Sequence, residues 1–538
     1  MFDLKIINGT IVDGTGRAAY RGDIGIAGDR IAAIGNLSES QSGQTIDAKG
    51  CVVAPGFIDI HTHSDISLLI DGHADARLHD GVTTDVIGNC GIAPYPARPE
   101  NRQLLLEYLG TRLIGSLPTK NQLAWSTAEE YFAYFGARPA SINIAPLLAQ
   151  GSVRIAEMGF ATGRATPEQA AHMKGMIAGA MEAGALGLTT GLAYLPGAYT
   201  HCEELCEITQ AIRPFGGIYI SHIRNQAERV FESIAEAVRI GRAAGVPVHI
   251  SHLKLAGPTV RGRTEELFQC LETARKEGVD LTFDLYPYDA GNTALTTVLP
   301  PWAFEGGIQK LLERIQTPET RRRIREDCQS GIPGWQNYAK DLGWQKIRIS
   351  STVTEAGRQW EGMTIQEIAN ARREDPWDTV FSLLIQEGAR IQTIVSHLDE
   401  RDVEAILAHP RAMYGSDSMS LSREGLLSSG KPHPRAFGTH GTLLGRYVRE
   451  KKLMTLEQAV QKMTQFPALR LNLRHRGVLA EGYYGDITVF DPKTINSKAT
   501  YQEPKQYTEG VKAVVVNGQV TLRDGVHQEA FAGRVVGR

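Results

Sequence analysis

The chain has 538 residues, of which 42% are hydrophobic and 22% are charged, the composition of a globular protein long enough for more than one domain. Its 57 basic and 60 acidic residues give a formal charge of −3, which excludes the strongly basic surface of a protein that binds nucleic acid or anionic membranes. The first residues lack the blocks of a signal peptide, no apolar run is long enough to cross a bilayer, and six cysteines in so long a chain do not form a disulfide framework, so we expect a cytoplasmic protein.

Both ends of the chain are rich in predicted strands. In LKIINGTIVDG, Asn8-Gly9 lies between alternating apolar residues and predicts a hairpin, and Asn517-Gly518 repeats the signal in VKAVVVNGQVTLRDG. We expect residues 1–54 and 476–538 to join into one small β-sandwich domain. Two independent end caps are the alternative.

Between these ends, short apolar runs alternate with helix-like stretches such as PEQAAHMKGMIAGAMEAG. Strands that alternate with helices predict an α/β protein with a parallel sheet, here a TIM-like (β/α)8 barrel over residues 55–475. Ten runs compete for eight strand positions, so some belong elsewhere. Residues 290–350, which break the rhythm, are the expected insertion.

Five of these runs close with side chains that bind metals well. The first, PGFIDIHTHSD, ends in two histidines one residue apart, and alternation along a strand points both to the same side. A parallel barrel brings the carboxyl ends of its strands to one rim, so ligands distant in sequence converge there. Four imidazoles, a thiolate and a carboxylate suit zinc. The predicted ligands are His61, His63, Cys90, His222, His252 and Asp417.

Taken together, these motifs resemble the amidohydrolase superfamily. GNCG, SHIR, SHLK, YPYDAGNT, GSD and HPRAFGT are similar to the D-aminoacylase (N-acyl-D-amino-acid deacylase) family, and the resemblance runs nearly end to end. It implies a zinc-dependent enzyme that hydrolyses the amide bond of N-acyl-D-amino acids to a carboxylate and a free D-amino acid. Its partner is then a small-molecule substrate.

One detail separates this family from dihydroorotases and hydantoinases, which resemble it but use a carboxylated lysine between two metals. The matching stretch, ALGLTTGLAY, contains no lysine, and Cys90 stands in its place. A zinc-bound thiol is deprotonated, so Cys90 supplies the anionic ligand. The resemblance implies one tightly bound zinc and a second, weaker site, with Cys90, His222 and His252 as ligands of the first and His61, His63 and Asp417 around the second. Whether activity needs one metal or two stays open.

The resemblance also implies roles in the reaction. Asp417 is the candidate base that takes the proton of water and delivers it to the departing nitrogen. Tyr286 in LYPY and Arg435 in HPR match positions that bind the α-carboxylate of the substrate. Lys254 and Arg224 each lie two residues past a predicted ligand, so both are expected at the same rim as substrate-binding residues, Lys254 together with Arg435 and Tyr286 on the α-carboxylate.

Two departures from the family pattern concern the pocket. Asn292 stands where YPY-x-A-G-S-T has a serine, and the stretch between Asp417 and Arg435 is longer than the family's shorter form. Tyr194 in GLAYLPG is expected to line the pocket. The side-chain and acyl preferences of the enzyme, and its oligomeric state, are left open.

Three alternatives remain at this point. One is a dipeptidase for C-terminal D-residues, and another is a cyclic amidase of the hydantoinase or dihydroorotase type, against which the missing lysine argues. The third is a non-catalytic barrel used as a binding module, which requires that ligands be lost, whereas all six are present.

Overall fold

The strands of the protein belong to three kinds of sheet. The computed structural model describes residues 1–112 and 123–537. In chain order, the strands are β1 (Phe2–Ile11), β2 (Tyr20–Ala27), β3 (Arg30–Gly35), β4 (Ser42–Asp47), β5 (Val52–Pro55), β6 (Phe57–Asp59), β7 (Val82–Ile87), β8 (Asn143–Pro146), β9 (Leu148–Ala149), β10 (Gly187–Gly191), β11 (Ile218–His222), β12 (Val248–Ile250), β13 (Leu281–Leu285), β14 (Ala290–Ala294), β15 (Ile347–Ser351), β16 (Gln392–Ser396), β17 (Ala412–Tyr414), β18 (Ile487–Phe490), β19 (Val511–Val516), β20 (Gln519–Arg523) and β21 (Val526–His527).

The α-helices lie between these strands, and none in the described ranges is long and apolar enough to cross a membrane. They are α1 (Ser67–Ile70), α2 (Asp75–His79), α3 (Arg102–Arg112), α4 (Ala128–Gly136), α5 (Gln150–Met158), α6 (Pro167–Glu182), α7 (Cys202–Thr209), α8 (Val230–Ala244), α9 (Thr264–Lys276), α10 (Ile308–Arg314), α11 (Pro318–Ser330), α12 (Tyr338–Leu342), α13 (Glu355–Arg358), α14 (Ile365–Arg372), α15 (Pro376–Gln386), α16 (Glu400–Ala408), α17 (Arg435–Thr442), α18 (Leu456–Met463) and α19 (Gln465–Arg470). Local chemistry sets their ends: α6 begins with Thr166 and Gln169 in a reciprocal capping box.

The first sheet joins strands from both ends of the chain. Its order is β21-β20-β19-β18-β5-β1-β2-β3, with β4 beside β1. Strand β5 pairs antiparallel with β18, so that Pro55 lies opposite Ile487. A buried apolar cluster that includes Leu4, Ile24 and Val515 lies on this sheet. Strands from the two chain ends therefore share one sheet, whereas the domain boundaries and the sandwich stay predictions.

The two Asn-Gly signals have different outcomes. Asn517 and Gly518 form the two-residue turn between β19 and β20, with φ of 47° and 82°, as the dipeptide predicts. The hairpin predicted at Asn8-Gly9 is wrong, because β1 continues through it with only a shift of register. A Cβ at Gly9 would lie 2.4 Å from Val53, so close packing against the neighbouring strand requires glycine here.

The site depends on two parallel sheets. One has the order β6-β7-β8 and the other β17-β13-β12-β11-β10-β9. Beyond the ends of β6 and β17, Thr62 and Ser418 form an isolated parallel bridge. Leu147, between β8 and β9, donates its backbone N–H to Ile87 of β7 at 3.0 Å. The central strands thus run in one direction and bring their carboxyl ends to one side of an α/β fold.

A third sheet is antiparallel and has the order β14-β16-β15. It takes up two of the ten apolar runs, RISSTV in β15 and IQTIVSH in β16, so eight runs remain for the parallel sheets. Helices after β14 pack on a hydrophobic cluster of their own, which includes Leu295, Ile349 and Phe381. This sheet begins where the insertion was expected to begin, and its central strand extends to Ser396.

Candidate metal centre

The predicted metal ligands lie at the carboxyl ends of five parallel strands. Ligand atoms of four of them, His61, Cys90, His252 and Asp417, lie within 4.8 Å of one another. Three of the four are fully shielded from solvent and the fourth, Asp417, is 8% exposed. The structure therefore brings together side chains that are up to several hundred residues apart in sequence.

The thiol of Cys90 lies at the middle of the imidazoles. Its Sγ is 3.2 Å from His61 Nε2 and 3.4 Å from His252 Nε2. His222 Nδ1 lies 3.6 Å from the same sulfur. Zn–N and Zn–S bonds of about 2.0–2.3 Å in a tetrahedral arrangement place nitrogen and sulfur ligands roughly 3.5 Å apart. The spacing of these side chains therefore fits a zinc ion.

The carboxylate of Asp417 lies next to the first histidine pair. Asp417 Oδ1 is 3.1 Å from His63 Nε2 and 3.6 Å from His61 Nε2. His61 is thus within reach of both the thiol and the carboxylate. This arrangement suits either one ion shared by all ligands or two neighbouring ions.

Three of the ligands have a left-handed backbone. The φ angle is 54° at Cys90, 34° at His252 and 47° at Asp417. Positive φ is uncommon for residues other than glycine and is found at functional sites, where the surrounding structure holds it in place. The backbone of these three residues is therefore strained, and this conformation directs their side chains toward one another.

The thiol, the carboxylate and one imidazole of the group have the charges that a cation requires. Burial raises the pKa of the Cys90 thiol, but the imidazoles around it outweigh burial and hold that pKa well below its usual value. For Asp417, burial raises the pKa of the carboxyl group, but the nearby Arg435 outweighs burial and the pKa is also well below normal. Burial and the neighbouring His252 lower the pKa of His222 to about 3. A thiolate, a carboxylate and a neutral imidazole are the deprotonated forms that metals bind. For His61 and His63, burial is outweighed by Asp284 and Asp417 respectively, which raise the pKa of both imidazoles, that of His63 to about 9.

Asp284, inside β13, is a site residue that the sequence analysis missed. Its Oδ2 lies 3.3 Å from His61 Nδ1 and 2.9 Å from His249 Nε2. Its Oδ1 accepts the backbone N–H of His252 at 2.9 Å. A carboxylate on the far nitrogen of a metal-binding histidine fixes the tautomer and the ring orientation. The available signal was an aspartate in the middle of the apolar run LTFDLYPY.

Two buried cations flank the ring of Tyr286. The guanidinium carbon of Arg435 lies 4.7 Å from the ring centre and Lys254 Nζ lies 5.1 Å from it. Arg435 Nη1 also donates to Asp417 Oδ2 at 2.8 Å. Burial lowers the pKa of Lys254 to about 8. The structure thus places the three predicted carboxylate-binding residues together, directly beside the metal group.

Two cavities meet at Tyr194, whose ring centroid is 4.5 Å from that of His222. The smaller, of about 60 Å³, is lined by Asp417, Arg435 and Asn292. The larger, of about 300 Å³, is lined on one side by His222 and is otherwise mostly apolar. Asn292 therefore lines the smaller cavity and Tyr194 lines both.

Arg224 is engaged elsewhere. Its guanidinium forms a bidentate ion pair with Glu236, at 2.8 and 3.0 Å, and donates to the carbonyl oxygens of Ala198 and Thr200. It borders the larger cavity but is not in the group around Tyr286. Its spacing from His222 placed it at the correct end of the strand, while the ion pair neutralises the charge that was expected to face the substrate.

The similarity of this protein to known proteins extends over most or all of its chain. A model of the amidohydrolase family matches residues 44–522. The D-aminoacylase of Alcaligenes xylosoxydans xylosoxydans is 34% identical over 537 residues, which cover 100% of this chain and 98% of that protein.

Two solved structures align with 100% of this chain and 100% of their own at 32% identity. One, with a TM-score of 0.81, is a D-aminoacylase whose binuclear metal centre is described by one-metal activation and second-metal attenuation. The other, with a TM-score of 0.82, is N-acyl-D-glutamate deacylase from Bordetella bronchiseptica, bound to zinc and a phosphonate inhibitor that mimics the tetrahedral intermediate.

Proposed function

Because the chain belongs to the amidohydrolase family, and within it to the D-aminoacylases, we propose that it hydrolyses N-acyl-D-amino acids to a carboxylate and a free D-amino acid. One observation carries the proposal: the group of metal-binding side chains around the Cys90 thiolate lies directly beside Arg435 and Lys254, two buried cations. The first feature suits activation of an amide and the second suits recognition of an α-carboxylate. The substrate named here contains both groups.

The ligand group favours zinc as the cofactor. We assign the tightly bound ion to Cys90, His222 and His252. A second, weaker site is assigned to His61, His63 and Asp417. When bound, zinc supplies polarisation of the amide carbonyl and lowers the pKa of water from 15.7 to about 7. The donor set supports this assignment, because thiolate and imidazole together are typical zinc ligands.

Asp417 is the proposed acid–base group. Its low pKa keeps the carboxylate ionised in the resting enzyme, so Oδ1 is available to accept a proton from the attacking water. The same oxygen then gives that proton to the amide nitrogen, which leaves as a neutral amine. Arg435 on Oδ2 and His63 near Oδ1 hold the carboxylate in place during both transfers.

We assign the α-carboxylate of the substrate to Arg435, Lys254 and Tyr286. Arginine binds a carboxylate through two parallel hydrogen bonds, and Nε of Arg435 has no hydrogen-bond partner among the described residues. Asn292 lines the same cavity, and its Oδ1 also lacks a partner within the ranges described. Because an amide oxygen repels a carboxylate, Asn292 must present its Nδ2 when substrate is bound.

The larger cavity supports an apolar group on the substrate. Its walls include Leu192, Phe160, Leu299 and Phe304, and the nearby charge of Arg224 is neutralised by Glu236. Arg229, the other cation of this lining, is paired with Glu232, so an acidic D-side chain would lose hydration there without an unpaired cation among the described residues. We therefore assign this cavity to an apolar D-side chain.

The strand order supports a closed barrel. Strands β6, β7, β8 with β9, β10, β11, β12, β13 and β17 make eight parallel positions. The Thr62–Ser418 bridge and the link from Leu147 to Ile87 join the two parallel sheets at both edges. We infer a (β/α)8 barrel with the metal group at its carboxyl rim, a β-sandwich from the chain ends and an inserted segment.

Release of free amine from a panel of N-acetyl-D- and N-acetyl-L-amino acids tests the function. We expect zinc-dependent turnover of the D-series and little of the L-series, with Leu or Phe derivatives ahead of Glu derivatives. Hydrolysis of hydantoins or dihydroorotate in preference to linear amides would overturn the proposal. A preference for D-Glu would overturn only the assignment of the larger cavity.

A further inference from the structure

A second cluster of metal-binding side chains lies away from the candidate active site. It consists of His73, in the loop between α1 and α2, and of His527 and Glu529, at and beyond β21. Their ligand atoms all lie within 4.8 Å of one another. Residues from opposite ends of the chain thus meet at one point on the surface.

The spacing of the cluster is close to that of a zinc site. His73 Nε2 lies 3.7 Å from Glu529 Oε2, and His527 Nδ1 lies 3.5 Å from Glu529 Oε1. Tetrahedral zinc with bonds of about 2.0–2.2 Å separates nitrogen and oxygen ligands by roughly 3.4 Å. The side chain of Glu529 is 73% exposed, so it is free to move toward both imidazoles.

Each imidazole is oriented by a bond on its other nitrogen. His73 Nδ1 lies 2.8 Å from Asp71 Oδ1, and because a carboxylate only accepts, Nδ1 carries the proton and the Nε2 lone pair faces Glu529. His527 Nε2 lies 2.7 Å from Ser141 Oγ. A carboxylate or hydroxyl on the second nitrogen is the usual support of a metal-binding histidine. The backbone N–H of Glu529 donates to His527 Nδ1 at 2.9 Å, and a bound ion would replace this bond.

The backbone that carries the cluster is fixed by other contacts. The backbone N–H of Ser141 donates to the carbonyl of Gly72 at 2.8 Å, and Val535 bridges to Ile144 of β8. Phe531 packs against both imidazoles, with ring centroids 5.1 Å from His73 and 5.4 Å from His527. Ligands on a preorganised backbone bind a metal without a large ordering penalty.

The surrounding charge also favours a cation. Burial lowers the pKa of His73, but Asp71, Glu529 and Asp75 all raise it and outweigh burial. Two neutral imidazoles among three carboxylates leave a negative site, which a divalent ion neutralises. Imidazole with carboxylate suits zinc, nickel and copper, whereas magnesium and calcium prefer oxygen ligands alone.

We propose that His73, His527 and Glu529 form a second, independent binding site for a divalent metal of the zinc class. An ion there ties the loop after α1 to the C-terminal segment that runs along β8. Its role is therefore structural. The site contains no thiolate, so it is chemically distinct from the group around Cys90.

Zinc content per chain tests the proposal on the full-length protein. Wild type, His73→Ala and Glu529→Gln are equilibrated in a zinc buffer and analysed by elemental mass spectrometry. His172→Ala is the matched control, because Nδ1 of the exposed His172 lies 3.1 Å from Glu157 Oε1 and no third metal-binding side chain joins this pair in the part of the chain that the structure describes. We expect wild type and His172→Ala to bind one zinc more than the other two variants, at equal turnover. Equal zinc content in all four proteins would overturn the proposal.

Two further readouts separate this site from the active site and from a folding defect. Added Ni²⁺ should raise the Tm of wild type more than that of Glu529→Gln when both proteins have first been dialysed against a weak chelator to empty the exposed site, because a ligand that binds only the folded state stabilises it. This conservative variant changes one exposed oxygen, so it is expected to fold. Co²⁺ bound here should lack the thiolate charge-transfer band that Cys90 gives. An identical Tm response in both proteins would overturn the proposal, whereas a failure of amide hydrolysis would leave these readouts unaffected.

Discussion

Arg435 donates a hydrogen bond from Nη1 to Oδ2 of Asp417 at 2.8 Å, so the proposed carboxylate-binding residue and the proposed base form one buried ion pair. This pair makes the two functions interdependent. A substrate carboxylate that binds Arg435 draws positive charge away from Asp417, which makes the aspartate more basic. Binding of the correct substrate thus prepares the base for proton transfer.

Replacement of Cys90 by alanine should abolish both tight zinc binding and activity. The thiolate is the anionic ligand at the centre of the imidazoles, and no described group stands ready to replace it. Zinc per chain and turnover are measured together. Cys51→Ala is the control, because this buried thiol belongs to the apolar cluster on the sheet of the chain ends. Full zinc content in Cys90→Ala would contradict the assignment.

Replacement of Asp417 by asparagine should reduce kcat by roughly 10²–10⁴, the usual contribution of a positioned acid–base group. Asparagine keeps the shape but cannot accept the proton. Zinc held by Cys90, His222 and His252 should remain. If turnover stays near that of wild type, the base lies elsewhere, and the buried His397 is the next candidate.

Replacement of Arg435 by alanine should raise KM and weaken the preference for a free α-carboxylate. Loss of a buried charge-paired contact costs roughly 2–5 kcal/mol, a factor of about 30 or more in kcat/KM. The comparison uses one N-acetyl-D-amino acid and its amide. Arg224→Ala is the matched control, because its guanidinium is bound to Glu236, and it should keep the preference. An unchanged preference in Arg435→Ala would refute its role.

The discrimination between D- and L-substrates should also depend on Arg435. With the scissile carbonyl and the α-carboxylate both anchored, the two enantiomers direct their side chains to different walls. Arg435→Ala should therefore lower the D/L ratio of kcat/KM, and Arg435→Lys should restore only part of it, since an ammonium lacks the planar fork. A D/L ratio equal to that of wild type in both variants would argue against this account.

Replacement of Asp284 by asparagine should weaken zinc binding by roughly 10–100-fold, because the carboxylate orients His61 and also holds the backbone of His252. Competition with a chelator measures the affinity. Asp280→Asn is the control: Asp280 lies just before the same strand and is paired with Arg470. Equal zinc affinity in the two variants would show that Asp284 only supports the fold.

Lys462 predicts a pH dependence of stability. Burial lowers its pKa from 10.5 to about 8, and its Nζ donates to the carbonyls of Leu407 and His409 at the end of α16. Between these two pKa values the unfolded chain binds more protons than the folded one, so stability rises with pH. Lys462→Met should be less stable and should lack this rise. Denaturation midpoints at pH 7.5 and 9.5 measure the effect, and parallel shifts in both proteins would contradict it.

The convergence of the predicted ligands can be anticipated from sequence because each closes an apolar run, and parallel strands bring such positions together. Asp284 was not recognised because an aspartate inside a strand gives the same sequence pattern whether its carboxylate orients a metal ligand or only accepts a backbone N–H. Arg224 lies at the rim but is ion-paired with Glu236 on the next helix, and spacing along one strand does not reveal such a partner. The hairpin prediction at Asn8-Gly9 was wrong because pairing with β5 keeps β1 extended through these residues. Strand β5 comes much later in the chain, so a dipeptide signal carries no information about this pairing.

The pairing of β5 with β18 has a consequence for synthesis of the protein on the ribosome. The parallel sheets lie between these two strands in sequence, so their strands emerge first, while β5 still lacks its neighbour. Until Ile487 meets Pro55, an edge of hydrogen-bonding groups beside the first ligand strand stays open. The nascent chain therefore carries an unpaired strand edge through most of translation, until its last-made strands complete the sheet.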